Sequence, residues 1–213
     1  METQKRKQNE KEKAERRMKI VAGLGSVDEY IPYVQAGADE LFCGYVPYNW
    51  TKKYGTVLPL NRREVLAYNV QLGSFSELEI LSAMIRKYRK PVHIAMNSLY
   101  YIPEQYEEIA DIVKQCMKIG FDSFILADPA LILYLRQKGI SCKIHLSGEA
   151  GEMNREAIKV FREMGIGRII FHRKNTVDVA DDRSCKCRKT GIRGLCIERI
   201  VSVHRSILQF PSL

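Results

Sequence analysis

With 213 residues and 46% hydrophobic content, the chain can bury one sizeable core, and one domain is the default expectation. No apolar run approaches the roughly 18–20 residues of a membrane span, and no apolar stretch behind the charged N-terminus makes a secretory signal, so a cytoplasmic protein is expected. The net charge of +9 is concentrated at the two ends (+4 in residues 1–19, +3 in 178–213), which leaves +2 for the body and no phosphate-binding footprint there.

The first 18 residues read as a charged, frayed extension, because Ala14 is the only apolar residue between Thr3 and Arg17. Such a basic tail admits contact with RNA, although the near-neutral body does not support it. From Lys19 onward, short apolar runs alternate with amphipathic stretches. Lys19–Leu24 reads as a strand, Val27–Gln35 as a helix ending at Gly37, and Glu40–Tyr45 as the second strand. A long loop follows, carrying Tyr45, Tyr48, Trp50 and Tyr54. Asn61–Tyr68 and Ser76–Tyr88 have helical spacing. Pro91–Met96 is the third strand, and Pro103–Ile119 is a helix closed by Gly120. Ser123–Ala127, Lys143–Leu146 and Arg168–Phe171 are the fourth to sixth strands. Between them lie helices Ala130–Lys138, ending at Gly139, and Arg155–Met164, closed by Gly165.

Apolar strands alternating with helices imply a parallel sheet covered by helices. Six such units in one run favour a (β/α) barrel of the TIM type over an open doubly wound sheet. A complete barrel has eight units and about 250 residues, so the pattern describes an incomplete one. In barrels the chemistry sits at the C-terminal ends of the strands. The residues leaving those ends include Asn97, Glu149, His172 and Arg173, the catalytic candidates. Gly25, Ser26, Tyr48, Trp50, Asp128 and Ser147 are the candidates for holding substrate. Ser26 and Asp128 also read as helix caps. Gly23-Leu24-Gly25-Ser26 before a helix suits an anion on backbone N–H groups, but it lacks the full dinucleotide fingerprint. The aromatic loop reads either as a substrate lid or as packing on the barrel rim. A polar small molecule or a peptide fits this set of residues.

Six cysteines without a secretory signal argue for reduced thiols. Cys43, Cys116 and Cys142 stand singly in apolar surroundings and read as small buried hydrophobes. Cys43, at a strand end, is a conceivable nucleophile, with no sequence feature pairing it to His93, His145 or His172. Cys185, Cys187, Cys196 and His204 have poor spacing for zinc, and no metal site is expected.

Several landmarks together resemble the collagenase-like peptidases of family U32. Gly23-Leu24-Gly25-Ser26 stands where that family carries Pro-Ala-Gly-Ser. Ala36-Gly37-Ala38-Asp39-Glu40-Leu41-Phe42-Cys43-Gly44 resembles its Ala-Gly-Ala-Asp segment, and Asn97-Ser98-Leu99 its Asn-Thr-Leu. Gly120-Phe121-Asp122 with Asp128-Pro129, and Met164-Gly165-Ile166-Gly167-Arg168, fit its later strands. The resemblance covers residues 18–177. It implies either a protease or, from relatives in the same family, an iron–sulfur hydroxylase of RNA bases or quinone precursors. For the full-length parent it implies a [4Fe-4S] cluster on cysteines beyond this stretch, and for this chain no cofactor.

After Val177 the alternating pattern stops. When the codons permitted for Asp178–Leu213 are read one base later, they can spell an amphipathic helix, a strand-like run and a Glu-x-Phe element before two cysteines at the family's spacing. The expectation is therefore an out-of-frame, unstructured tail on a truncated, inactive barrel that is unstable, associates through its open sheet edge or aggregates. The competing expectation is a non-enzymatic remnant or binding module. A barrel enzyme for a phosphorylated metabolite is weaker, because the usual phosphate site follows strands seven and eight.

Overall fold

Successive strand side chains point to a helix-covered face of the sheet and to an inner face, both largely buried in the central strands, and that division places every side chain discussed below. A computed structural model describes residues 19–62, 71–151, 153–171 and 197–198. Its elements in chain order are β1 (Val21–Leu24), a 3-10 turn (Val27–Glu29), α1 (Tyr30–Gln35), β2 (Glu40–Tyr45), α2 (Tyr48–Tyr54) and β3 (Gln71–Leu72). They continue with α3 (Phe75–Tyr88), β4 (Val92–Met96), α4 (Pro103–Lys118), β5 (Ser123–Leu126) and α5 (Pro129–Gln137). The last are β6 (Lys143–Leu146), α6 (Arg155–Glu163), β7 (Arg168–Ile170) and β8 (Ile197–Glu198). All described strands pair in parallel, in the order β1-β2-β4-β5-β6-β7-β8. β3 continues the row where β1 stops: Leu24 pairs Cys43, and Gln71 pairs Gly44.

The sheet is curled. Glu40 on β2 and Arg168 on β7 meet at 2.5 Å although four strand spacings separate them. In a flat sheet that separation would be about 19 Å, more than the two side chains can bridge. The architecture is an incomplete TIM-like barrel, as the alternating pattern implies.

Outward strand residues Leu41, Cys43, Ile94, Met96, Phe124, Leu126, Ile144, Leu146 and Ile169 join the core under the helices. The helices supply the matching stripe: Ile109, Val113 and Cys116 of α4 recur at helical spacing and are fully buried. Local signals fix the helix ends. Ser74 and Glu77 form a reciprocal capping box on α3, and Asn154 accepts from the Ala157 N–H to open α6. Gly120 and Gly139 close α4 and α5 at φ of 108° and 69°, where a Cβ would be strained. Arg89, directly after α3, is also left-handed, at φ 59°.

The six expected strands are present, with ends shifted by a residue or two. Two further strands, β3 and β8, are each two residues long. β8 falls in the stretch that shows no strand period in the sequence. The expected loop after β2 contains α2, a helix in which only Lys52 and Lys53 have good helical propensity, the rest being aromatics, Asn and Thr. Burial makes it: Trp50 is fully enclosed, donates from Nε1 to the Leu58 carbonyl at 3.2 Å, and lies 4.6 Å from the Tyr54 ring. The helix expected over Asn61–Tyr68 lies outside the described residues beyond Arg62. So do residues 1–18 and all of the tail except β8.

Candidate functional site

Inside the curl the side chains fall into three layers. The middle layer is apolar and small, with Phe42, Ala95, Ile125 and Ile170 packed together. Gly23 makes room for Phe42, because a Cβ there would lie 2.9 Å from the ring. This plug separates a polar cluster at the N-terminal ends of the strands from another at their C-terminal ends.

The C-terminal mouth is assembled by the segment before residue 63. Three side chains hold its carbonyls: Tyr101 donates to Leu60 O at 2.8 Å, Gln105 to Leu58 O at 3.3 Å, and the Ser98 hydroxyl to Pro59 O. That anchoring delivers Asn61 and Arg62 to the strand ends. Asn61 is buried and donates from Nδ2 to Ala95 O at 2.8 Å. The Arg62 backbone N–H donates to Asn97 Oδ1 at 3.3 Å, and its guanidinium pairs with Glu149. Gln71 lies beside them, with its carboxamide over the inner face of Gly44. Asn97 and Glu149, two of the catalytic candidates, are thus joined through Arg62. Neither Asn61, Arg62 nor Gln71 was singled out from the sequence. Gln71 stands in a strand too short to show a period, and nothing local marks Arg62.

The other candidates divide. Ser147, buried, accepts from the Glu149 N–H at 3.3 Å and so holds that residue's turn. Asp128 is 4% exposed and accepts from the Ala130 N–H at 2.8 Å and the Tyr106 hydroxyl at 3.1 Å. It caps α5, the other role its sequence position suggests. Trp50 belongs to the core, whereas Tyr48 is exposed. The anion site read at Gly25 and Ser26 is filled by the chain itself. The Gly25 N–H donates to Glu29 Oε2 at 2.7 Å, which sets a carboxylate where an anion would sit. Ser26 makes no side-chain cap bond. His172 and Arg173 lie outside the described residues, as do Cys185, Cys187, Cys196 and His204.

At the opposite pole, Glu40 Oε2 meets His93 Nε2 at 3.1 Å, and His93 Nδ1 meets Ser123 Oγ at 2.6 Å. Lys19 and Arg168 also hold the Glu40 carboxylate, at 2.6 Å and 2.5 Å. Burial alone would raise its pKa, but hydrogen bonds from His93, Arg168 and Lys19 outweigh it and hold the carboxyl far below the usual range. The His145 ring packs edge-on against His93 at 4.5 Å. The trio of Ser, His and carboxylate resembles a hydrolase triad only in composition. The ring nitrogens are used in the reverse sense. Ser123 is 2% exposed, and the cluster closes the end of the barrel away from the mouth. It is a charge cluster that ties strands together.

Cys43 is buried on the helix-covered face, opposite the face that carries His93 and His145, and burial pushes its thiol well above the usual range. Burial lifts the Cys116 thiol to about 12 and raises that of Cys142 too. Among the described residues no three His, Cys, Asp or Glu side chains converge on a point where a metal ion could be held. Their thiols therefore do not fit an iron–sulfur cluster. Among the described residues no helix is long and apolar enough to cross a membrane.

Residues 25–187 match the family model for peptidase family U32. The chain is 25% identical over 146 residues to tRNA hydroxylation protein P of Escherichia coli (strain K12), an alignment covering 68% of this chain and 28% of that protein. It is 22% identical over 155 residues to tRNA hydroxylation protein P2 of Bacillus subtilis (strain 168), covering 72% and 44%. The chain spans less than half the length of these curated relatives. The solved structure of the U32 peptidase Mk0906 superposes with a TM-score of 0.50 at 16% identity, over 72% of this chain and 58% of that one.

Proposed function

The chain belongs to peptidase family U32, and from that premise we propose that its barrel mouth receives an RNA base for hydroxylation rather than a peptide for cleavage. One observation carries this reading. The mouth presents the uncharged amides of Asn61, Gln71 and Asn97 beside an Arg62–Glu149 pair that is neutral as a unit. Carboxamides set at fixed angles suit the donor and acceptor edge of a planar heterocycle. Among the described residues, the Cys43 thiol at a strand end is turned to the helix-covered face and kept protonated by burial, and the serine beside a histidine is sealed at the other pole. The curated relatives with this similarity are named for tRNA hydroxylation.

In this reading Asn97 and the Arg62–Glu149 pair set the orientation of the base, and the apolar plug below keeps water out of the floor of the site. Among the described residues no three His, Cys, Asp or Glu side chains converge to hold a metal ion, and the role of the mouth is to bind and orient the base.

The test is a binding titration of an unmodified tRNA transcript at about 0.2 M salt, where contacts of the basic tail with phosphate are weakened. Asn97→Ala is expected to weaken binding about tenfold, the loss typical of a hydrogen bond removed from a buried ligand. Equal binding by the variant would assign the affinity to the tail. Gelatin hydrolysis by the purified chain, with no tRNA binding, would restore the peptidase reading.

A further inference from the structure

Among the described residues, three buried side-chain polar atoms have no hydrogen-bond partner: both amide atoms of Gln71, and Nδ1 of His145. The His145 atom sits in the closed end, packed against His93. The Gln71 amide is different, because it lies in the mouth and lacks partners on both its donor and its acceptor side. A buried carboxamide with neither bond made is costly, and such groups are rare without a reason.

The seat of this amide is built. A Cβ added to Gly44 would fall 1.4 Å from Gln71 Oε1 and 2.7 Å from Asn61 Nδ2. Gly44 follows Glu40 and Phe42 on the inner face of β2, so the missing side chain leaves a hole inside the barrel that the Gln71 amide fills. Register sets the position: Gly44 pairs Gln71 on one side and Ala95 on the other, and Ala95 O is the acceptor for Asn61. Three strands therefore fix where the amide points.

We propose that Gln71 is the specificity-determining residue of the mouth, its carboxamide pairing side by side with a ligand edge that offers one acceptor next to one donor. The inference rests on the nucleobase reading above and deepens it. A neutral amide beside an already neutralised arginine discriminates by hydrogen-bond pattern and gives little to a phosphate or a free carboxylate. Without ligand the amide is a standing cost to the fold; with ligand both of its groups are paired.

That double role gives the test. Gln71→Met keeps length and bulk but removes donor and acceptor. Two quantities are read on the full 213-residue chain: the melting temperature without ligand, and binding of uridine, cytidine, adenosine and guanosine by saturation-transfer NMR. Nucleosides carry no phosphate, so the basic tail contributes nothing. The expected result is a Gln71→Met chain that melts higher than wild type and binds its preferred nucleoside at least about tenfold more weakly. An unchanged or lower melting temperature, or failure to fold, means the amide is paired within the fold and overturns the inference. Equal binding by the variant and wild type also overturns it, while leaving the nucleobase reading standing. If wild type binds none of the four nucleosides, the nucleobase reading falls and the inference falls with it.

Discussion

His145 shows how one buried ring couples the fold to pH. Burial, with His93 and the Arg168 charge beside it, pushes its imidazole down to about 3, against weaker upward pulls from Glu40 and Asp122. The ring is therefore neutral in the folded chain and takes up a proton only on unfolding, with an unfolded value near 6.5. The unfolded state then binds more protons between those values, so stability rises with pH and is lost as pH falls below about 6.5. Glu40 adds nothing in the upper part of that window. Its folded pKa is depressed, so its contribution is complete above its unfolded value of about 4.3 and is lost only below it. Between pH 6.5 and 4.5 His145 is expected to cost roughly 2–3 kcal/mol of stability. Denaturant titrations at those two pH values check this, and His145→Gln should flatten the difference. An equally steep dependence in the variant would assign the effect to other groups.

At the level of elements, α3 ends on an unusual residue. Arg89 adopts φ 59° and ψ 27°, a left-handed conformation that costs an L side chain about 1 kcal/mol relative to glycine. Glycines take the left-handed positions that close α4 and α5, one residue further past the helix end, at Gly120 and Gly139. Arg89→Gly should raise stability by about 0.5–1 kcal/mol, less whatever the extra freedom of glycine costs through the unfolded chain. Chemical denaturation is the measurement, and a lower midpoint would show that the Arg89 side chain contributes more than its backbone costs. α2 makes the complementary point. Its residues have weak helical preference, and the helix is held by the buried Trp50 and its bond to Leu58. The reading of that segment as a loop failed because tertiary burial overrode local propensity.

For the whole molecule, the Glu40–Arg168 pair is a strap across the curl, joining residues 128 positions apart in the chain. Removing Arg168 leaves a buried carboxylate with weaker compensation and frees β7 from β2. Arg168→Leu should cost about 3 kcal/mol, in the range for breaking a buried pair from one side. Replacing Glu40 by leucine in the same chain should recover part of that loss, because the buried charge left with only Lys19 and His93 is then gone. A double mutant no more stable than the single one would show that the strap acts through Arg168 alone.

Apolar runs, helical spacing and turn residues sufficed to read the strands, the helix closures at Gly120 and Gly139 and the barrel class, while the family was legible only through the resemblance of segments such as Ala36–Gly44 and Asn97-Ser98-Leu99. Each of these depends on neighbours within a few positions, and a period of two or 3.6 can be read along the chain. Asn97 and Glu149 can be placed at strand ends for the same reason, but the contacts that join them through Arg62 cannot be read along the chain. Arg62 and Gln71 reach the mouth because Tyr101, Ser98 and Gln105 hold the carbonyls of residues 58–60, and because the register of β2 sets Gly44 against Gln71. Trp50 and Asp128 looked equally available to a ligand until burial in one case and helix capping in the other engaged them. Such assignments depend on contacts between residues distant in sequence, which exist only once the sheet has curled and its inner face has been divided into layers.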